Sequence, residues 1–464
     1  MAIGSRAVHE QLGAPTSRGR PIGETRRTAS GPFNIIFIIG LIFITGAFTA
    51  QLESSRGGAG AAVLQIVTLL TGMFGVGVIL ASADARRFAF RCWPVLILVV
   101  LAFASTPLSF IPAQTLKKSF TLLCTVSFVL AIATKLSPME CIRLVVRVMV
   151  LECLLSLIWV VVFPDIGIQN RTGIGIREDE IGEWWRGIFS HKQGLGVVAG
   201  LAIGLIGFYG RSIFGSLFIR VGAILCCLAC LIGARSATGI LVAIVIAGAL
   251  YSLYYAARSA RGTRQLLVNS ILIGSAASYF IWSRGYFQSL PELFGRSSDL
   301  TGRDVAWTIA MDVFDSSGVK LTGGGYAVGI QHMLPEFVYV DNGYYDMLMQ
   351  FGYIGAAVIV AFICWTLFFA RKLIVRTPRE LAMISVFPLA ILLSLAVLNI
   401  SEALFLSSKN ICTVFTVLAV TTIVRVREQL DAGEKRKRGF VRPNPAAAQL
   451  LGSQGRARSV LYGG

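Results

Sequence analysis

The chain has 464 residues, of which 55% are hydrophobic and only 14% charged, with a mean hydropathy of +0.72 and a net charge of +18. Soluble chains carry roughly 25% charged residues, so this balance excludes an ordinary water-soluble enzyme. A membrane β-barrel is excluded as well, because its strands alternate polar and apolar positions, whereas the long runs here are apolar on every face.

Residues 1–32 are basic, with Arg18, Arg20, Arg26 and Arg27, and contain no apolar core of a leader. They read as a cytoplasmic tail without regular structure. Crossing the hydrocarbon takes about 20 mostly apolar residues per helix. Runs of that kind begin at 33–50, 60–82, 93–111, 119–134 and 144–163. They continue at 194–209, 217–233, 237–255, 265–283, 345–370, 382–399 and 404–424. The expectation is an all-α polytopic membrane protein with about 12 transmembrane helices over 33–424 and a second basic tail over 425–464.

Short-loop Lys/Arg content sets the orientation. Arg86, Arg87 and Arg91 lie in one loop, Lys135 and Arg143 in a second, and Arg211 and Arg220 in a third. Arg258, Arg261 and Arg264 form a fourth group, and Arg371, Lys372, Arg376 and Arg379 a fifth. These groups share a side with both termini, which makes that side cytoplasmic. The loops 51–59, 164–193 and 284–344 then face outward, with Lys117 and Lys118 an exception to the rule. The run "EKRKRGFVR" (Glu434 to Arg442) suits an anionic inner leaflet, at about 1 kcal/mol per basic residue. The positive charge therefore calls for membrane lipids and for no nucleic-acid partner.

Of nine cysteines, Cys92 and Cys141 fall in cytoplasmic loops and the rest within spans, so no disulfide is expected. No metal-ligand spacing is present. Within the fifth span, Arg147 reads as reaching for the cytoplasmic surface and Glu152 as pairing with a polar group across helices.

Polar residues gather in four outward clusters. The first holds Arg171, Arg177 and "WWRGIFSHKQGLG", with Arg186, His191 and Lys192. The second is "GARSATGI", with Arg235, Ser236 and Thr238. The third combines "GRSSDLTGRDVAW", with Arg296, Asp299, Arg303 and Asp304, and "LTGGGYAVGIQHM", with Tyr326 and His332. The fourth is "DNGYYDMLMQFGYIG", opening on Asp341 and Asn342. Trp184, Trp185, Trp282 and Trp307 suit interfacial anchors. Cations retained on the outer side point to an anionic ligand there. Outside the membrane a sugar donor must arrive already activated, and a polyprenyl diphosphate sugar is a donor of that kind. Arginine matches phosphate oxygens in two-point geometry, and a sugar hydroxyl needs a base within hydrogen-bond reach. The candidate bases are Asp341, His191, His332, Asp299 and Asp304.

The ordered set "RGIFSHKQGLG", "ARSATG", "LTGRDVAW", "GGGY" and "DNGYYDMLMQFGYIG" resembles the O-antigen ligase and polymerase superfamily, and within it the exopolysaccharide production polymerases. The resemblance implies a glycosyltransferase-C-like fold with a large periplasmic loop. It implies metal-independent, inverting transfer of glycan from an undecaprenyl-diphosphate-linked oligosaccharide, without a cofactor, at the periplasmic face of the bacterial inner membrane. A chain-length regulator is the implied protein partner. In the ligase branch a His-Asn pair is followed after nine residues by Gly-x-x-Gly. Here Asn342, Gly352 and Gly355 keep that frame, but Asp341 stands at the His position.

On this reading Asp341, His191 and Arg303 are catalytic, and Arg186, Lys192, Arg235, Arg296, Asn342 and Tyr326 bind substrate. Asp341 also suits a helix cap, a role compatible with that of base; if it only orients the loop, His191 or His332 would be the base. A ligase with a different acceptor, or a polysaccharide flippase, remains the alternative.

Overall fold

The computed structural model describes residues 31–48, 59–170, 183–283, 303–334, 340–403 and 406–440. In chain order its helices begin with α1 (Gly31–Ile44), α2 (Ala59–Leu80), α3 (Ala83–Arg91), α4 (Trp93–Ala104), α5 (Pro112–Lys135) and α6 (Pro138–Val162). A two-stranded hairpin follows, β1 (Ile168–Asn170) against β2 (Glu183–Trp185), with Ile168 opposite Trp185. Then come α7 (Lys192–Phe214), α8 (Leu217–Ala234), α9 (Ala237–Arg258), α10 (Arg261–Ser283), α11 (Arg303–Ser316), α12 (Gly343–Arg376), α13 (Phe387–Ser401) and α14 (Ile411–Phe440).

The chain is a multi-pass α-helical membrane protein. Among the described residues, eight helices are long and apolar enough to cross a bilayer, or nine if the bent pair α3–α4 forms one span. Outward faces carry large apolar side chains, such as Leu69, Leu70 and Met73 on α2 and Phe218, Leu225 and Ile232 on α8. That is the surface lipid tails require.

Four predicted spans differ from this set, each for a visible reason. The run 33–50 stops being helical at Ile44, because Gly46 takes φ 94° and Phe48 φ 61°. The run 93–111 is shortened to α4, which meets α3 at 75°. Helix α10 carries Arg261, Arg264, Gln265 and Asn269 near its start. Helix α14 runs straight from its apolar part into Arg425, Arg427 and Glu428. The same helix carries regular structure past 425, where the sequence suggests a basic tail. Its turns continue to Phe440, supported by Arg425–Glu428 at 3.8 Å, Arg427–Asp431 at 3.9 Å and an ion pair from Arg91 to Glu428. Pairs at these spacings favour helix.

Two devices hold the bundle together. The last carbonyls of a helix lack partners within it, and cations are favoured at that end. Arginines fill this role on the basic side of the bundle. Arg425 Nη2 donates to Ala133 O (3.1 Å) at the end of α5, and Arg264 Nη1 to Thr377 O (2.8 Å) beyond α12. Arg147 Nη2 donates to Ile213 O (2.6 Å) at the end of α7. The second device is a stripe of small residues: Gly196, Gly200 and Gly204 of α7 lie against Ser236, Gly239 and Ile246 of α9 so closely that a Cβ at any of them would clash. Small residues at this spacing let membrane helices approach backbone to backbone.

Helix α12 is broken at Gly352 (φ 61°, ψ −171°). The glycine-rich segment before it fills the break. Tyr353 N–H donates to Lys320 O (2.8 Å) and Ile354 N–H to Leu321 O (3.1 Å), while Gly324 and Gly325 donate to Met349 O (2.8 Å) and Gln350 O (3.0 Å). Backbone freed inside a membrane protein must find protein partners, and "LTGGGY" supplies them. The segment before α12 also builds a small core of its own, from Ala310, Phe314, Ile330, Leu334 and Val340 on Met349 of α12. Gly352→Ala places a side chain at a left-handed position against Leu321 and Gly323. It is expected to destabilise the fold by about 1–3 kcal/mol or more, read as a lowered unfolding midpoint in detergent.

Candidate functional site

The described turns of α1, Gly31–Ile44, cover about 21 Å. The turn after it folds inward, with Phe48 N–H donating to Ile188 O (2.7 Å). Thr45 donates its hydroxyl to Glu152 of α6, a fully buried carboxylate, so Glu152 does pair across helices. Beside Thr45 and Gly46 opens a cavity of about 630 Å3. Its walls come from α2 (Leu64, Gln65, Thr68, Leu69), α5 (Lys117 to Cys124), the segment from Phe189 to Gly194, and the connection between α13 and α14.

Charge in this cavity is lopsided. Lys117, Lys118, Lys409 and His191 line it, against one carboxylate, Glu402. Glu402 is 4% exposed, and Thr238 Oγ1 lies 3.4 Å from its Oε1 as a donor. Ser190, Gln193, Ser407, Ser408 and Asn410 add neutral hydrogen-bonding groups, and Leu64, Leu69 and Phe120 add an apolar flank. The arrangement sets cations and neutral hydrogen-bonding groups beside an apolar flank.

The residues singled out from sequence divide into three groups. His191 lines the cavity and also caps α7, its Nδ1 accepting from Gln193 N–H (3.3 Å). Lys192, the next residue, places Nζ 3.3 Å from the ring centroid of buried Trp184, a cation–π contact.

Asn342 and Tyr326 are buried in structural roles. Asn342 Oδ1 accepts from Tyr344 N–H (3.0 Å) and Tyr345 N–H (3.2 Å), capping α12, while its Nδ2 donates to Ile400 O (3.1 Å). Tyr326 donates its hydroxyl to Leu406 O, stacks on Phe351 at 5.8 Å between ring centroids, and receives Thr115 Oγ1 on its carbonyl (3.1 Å). Burial pushes the Tyr326 phenol up from its ordinary value. It braces the turn where Leu406 (φ 57°) and Lys409 (φ 60°) take left-handed backbone.

Among the described residues, Arg186, Arg235 and Asp341 are not part of the cavity lining. Arg186 donates Nε to Ile166 O (2.6 Å), locking the hairpin to the turn before it. Arg235 sits exposed between α8 and α9 at φ 47°. Asp341 is half-buried directly before the Asn342 cap. Arg303 opens α11, but its side chain and that of Asp304 lie outside the described residues, as do Arg171, Arg177, Arg296, Asp299 and the His332 side chain.

Sequence reasoning missed Lys117, Lys118, Lys409 and Glu402. Signals were present. The paired lysines break the charge rule, Lys409 falls inside a predicted span where an ionisable residue flags function, and "SEALFLSSKN" interrupts two apolar runs. Among the described residues, no group of three or more His, Cys, Asp or Glu is placed to hold a metal ion. No family model matches the chain, and no curated protein matches it.

Asn342→Ala removes a cap and an interhelical hydrogen bond together. A loss of about 1–2 kcal/mol is expected, measured by thermal unfolding in detergent. Asn342→Asp keeps the capping oxygen and is expected to lose less.

Proposed function

We propose that the protein polymerises undecaprenyl-diphosphate-linked oligosaccharide repeats into exopolysaccharide at the periplasmic face of the bacterial inner membrane. In this reading α1, α4, α10 and α14 also cross the bilayer, giving twelve spans with both termini cytoplasmic. The observation that carries the proposal is the cavity lined by Lys117, Lys118, Lys409 and His191 at the end of the bundle opposite the arginine-capped carbonyls. A diphosphate leaves a sugar only if its growing negative charge is met by fixed positive groups, and such preorganised electrostatics is usually the largest catalytic contribution. The apolar flank suits the lipid tail, and the neutral polar groups suit sugar hydroxyls.

The motif resemblance supplies the polymer chemistry, including inverting transfer without a metal or cofactor and a chain-length regulator as partner. Lysines within the cavity take over the gripping role first assigned to Arg186 and Arg235. The roles of Arg296 and Arg303 as further diphosphate ligands rest on the sequence motif. A ligase would share this donor site and differ in its acceptor. A flippase is less well supported, because the charged cavity gathers at one end of the bundle.

Purified protein supplied with lipid-linked oligosaccharide is expected to yield longer lipid-linked products. Lys409→Gln, and separately the double change Lys117→Gln with Lys118→Gln, are expected to cut elongation by about 10- to 1,000-fold. Undiminished elongation in both variants, or transfer only to an acceptor that carries no lipid diphosphate, would contradict the proposal.

A further inference from the structure

Glu402 occupies a position that helix stability does not explain. It is the C-cap of α13, with its N–H donating to Leu398 O (3.1 Å). A helix C-terminus carries partial negative charge and favours cations, so a carboxylate here works against the helix it ends. Burial adds to that cost, since charges within a membrane protein are expensive and are retained for pairing or function. Asp341 differs: it stands beside the N-terminus of α12, where a carboxylate is favoured.

The surroundings of Glu402 are those of a working group. It lines the same cavity as Lys117, Lys118, Lys409 and His191. Thr238 steadies it from the first turn of α9, where Ser236 caps the helix through Gly239 N–H (3.1 Å). The α7–α9 glycine packing fixes that turn beside the His191 end of α7. Among the cavity-lining residues Glu402 is the acidic side chain, whereas Asp341 is not part of the lining.

We propose that Glu402 is the catalytic base that accepts the proton of the incoming sugar hydroxyl. The inference rests on the glycan-transfer reading above. The acceptor oxygen forms a bond to the anomeric carbon of the donor, and the bond from that carbon to the diphosphate oxygen breaks. Its electron pair departs on the diphosphate, which the lysines neutralise, and the hydroxyl proton passes to the Glu402 carboxylate. Protonated Glu402 then returns the proton to water.

The test compares unaltered protein with Glu402→Gln and Asp341→Asn in lipid nanodiscs, using lipid-linked oligosaccharide as both donor and acceptor. Glu402→Gln is expected to bind the unextended substrate within about threefold of the unaltered protein and to elongate it about 100- to 10,000-fold more slowly. Glu402→Asp should restore part of the rate. Elongation by Glu402→Gln within about threefold of normal, with Asp341→Asn inactive, would overturn the assignment. If Glu402→Gln fails to insert, the pH–rate profile decides. An acid limb that persists in His191→Gln supports a carboxylate base, and its disappearance there assigns the proton to His191 instead. Unaltered protein that binds the lipid-linked substrate but never extends it removes the transfer reading itself, and Glu402's role with it.

Discussion

Within a bilayer every backbone N–H and C=O must be met by protein, and this requirement shapes each end of the bundle. On the basic side, Arg147, Arg264 and Arg425 bring guanidinium groups to the last carbonyls of α7, α12 and α5. On the opposite side, His191, Ser236 and Asn342 cap α7, α9 and α12 through side-chain acceptors. The break at Gly352 is met by a whole segment of backbone from the connection that precedes α12. The polar clusters at this end of the bundle are thus first a solution to helix ends.

The cavity follows from the same constraint. Helix α1 ends at Ile44, and the turn that follows is tied to Glu152 and Ile188. The space left beside it is walled by α2, α5 and the α13–α14 connection. Tyr326 ties this connection to α12, with its hydroxyl on Leu406 O and its ring on Phe351. Capping accounts for His191 and Asn342, and the joint placement of three lysines and a buried glutamate around one void is the feature on which the proposed diphosphate site rests.

Much of the membrane architecture was legible in the sequence. Runs such as 217–233 and 237–255 match α8 and α9 within a few residues, because Gly, Ser and Arg bound them sharply. The end of α1 at Ile44 is written only as Thr45-Gly46 inside an otherwise apolar run, too short a signal for hydropathy averaging, and the hydrogen bond from Phe48 to Ile188 O fixes the turn. The kink in α12 was written as "GGGY" and "FGYIG", yet nothing local says that these motifs join each other. For the site the lesson is similar. Motif residues Asn342 and Tyr326 stood out as polar or aromatic interruptions, and the fold spends them on capping and bracing. Glu402 and Lys409 lay between two apolar runs, where hydropathy averaging conceals single charges, and only the return of α13 and α14 to α5 brings them to Lys117 and Lys118.

A structure of the protein with an undecaprenyl-diphosphate oligosaccharide bound tests the central claim most directly. The account places the diphosphate in salt-bridge contact with Lys117, Lys118 and Lys409, with the first sugar beside Glu402. A diphosphate seated at the arginine-rich end, or elsewhere on the outer face with this cavity left vacant, would contradict it.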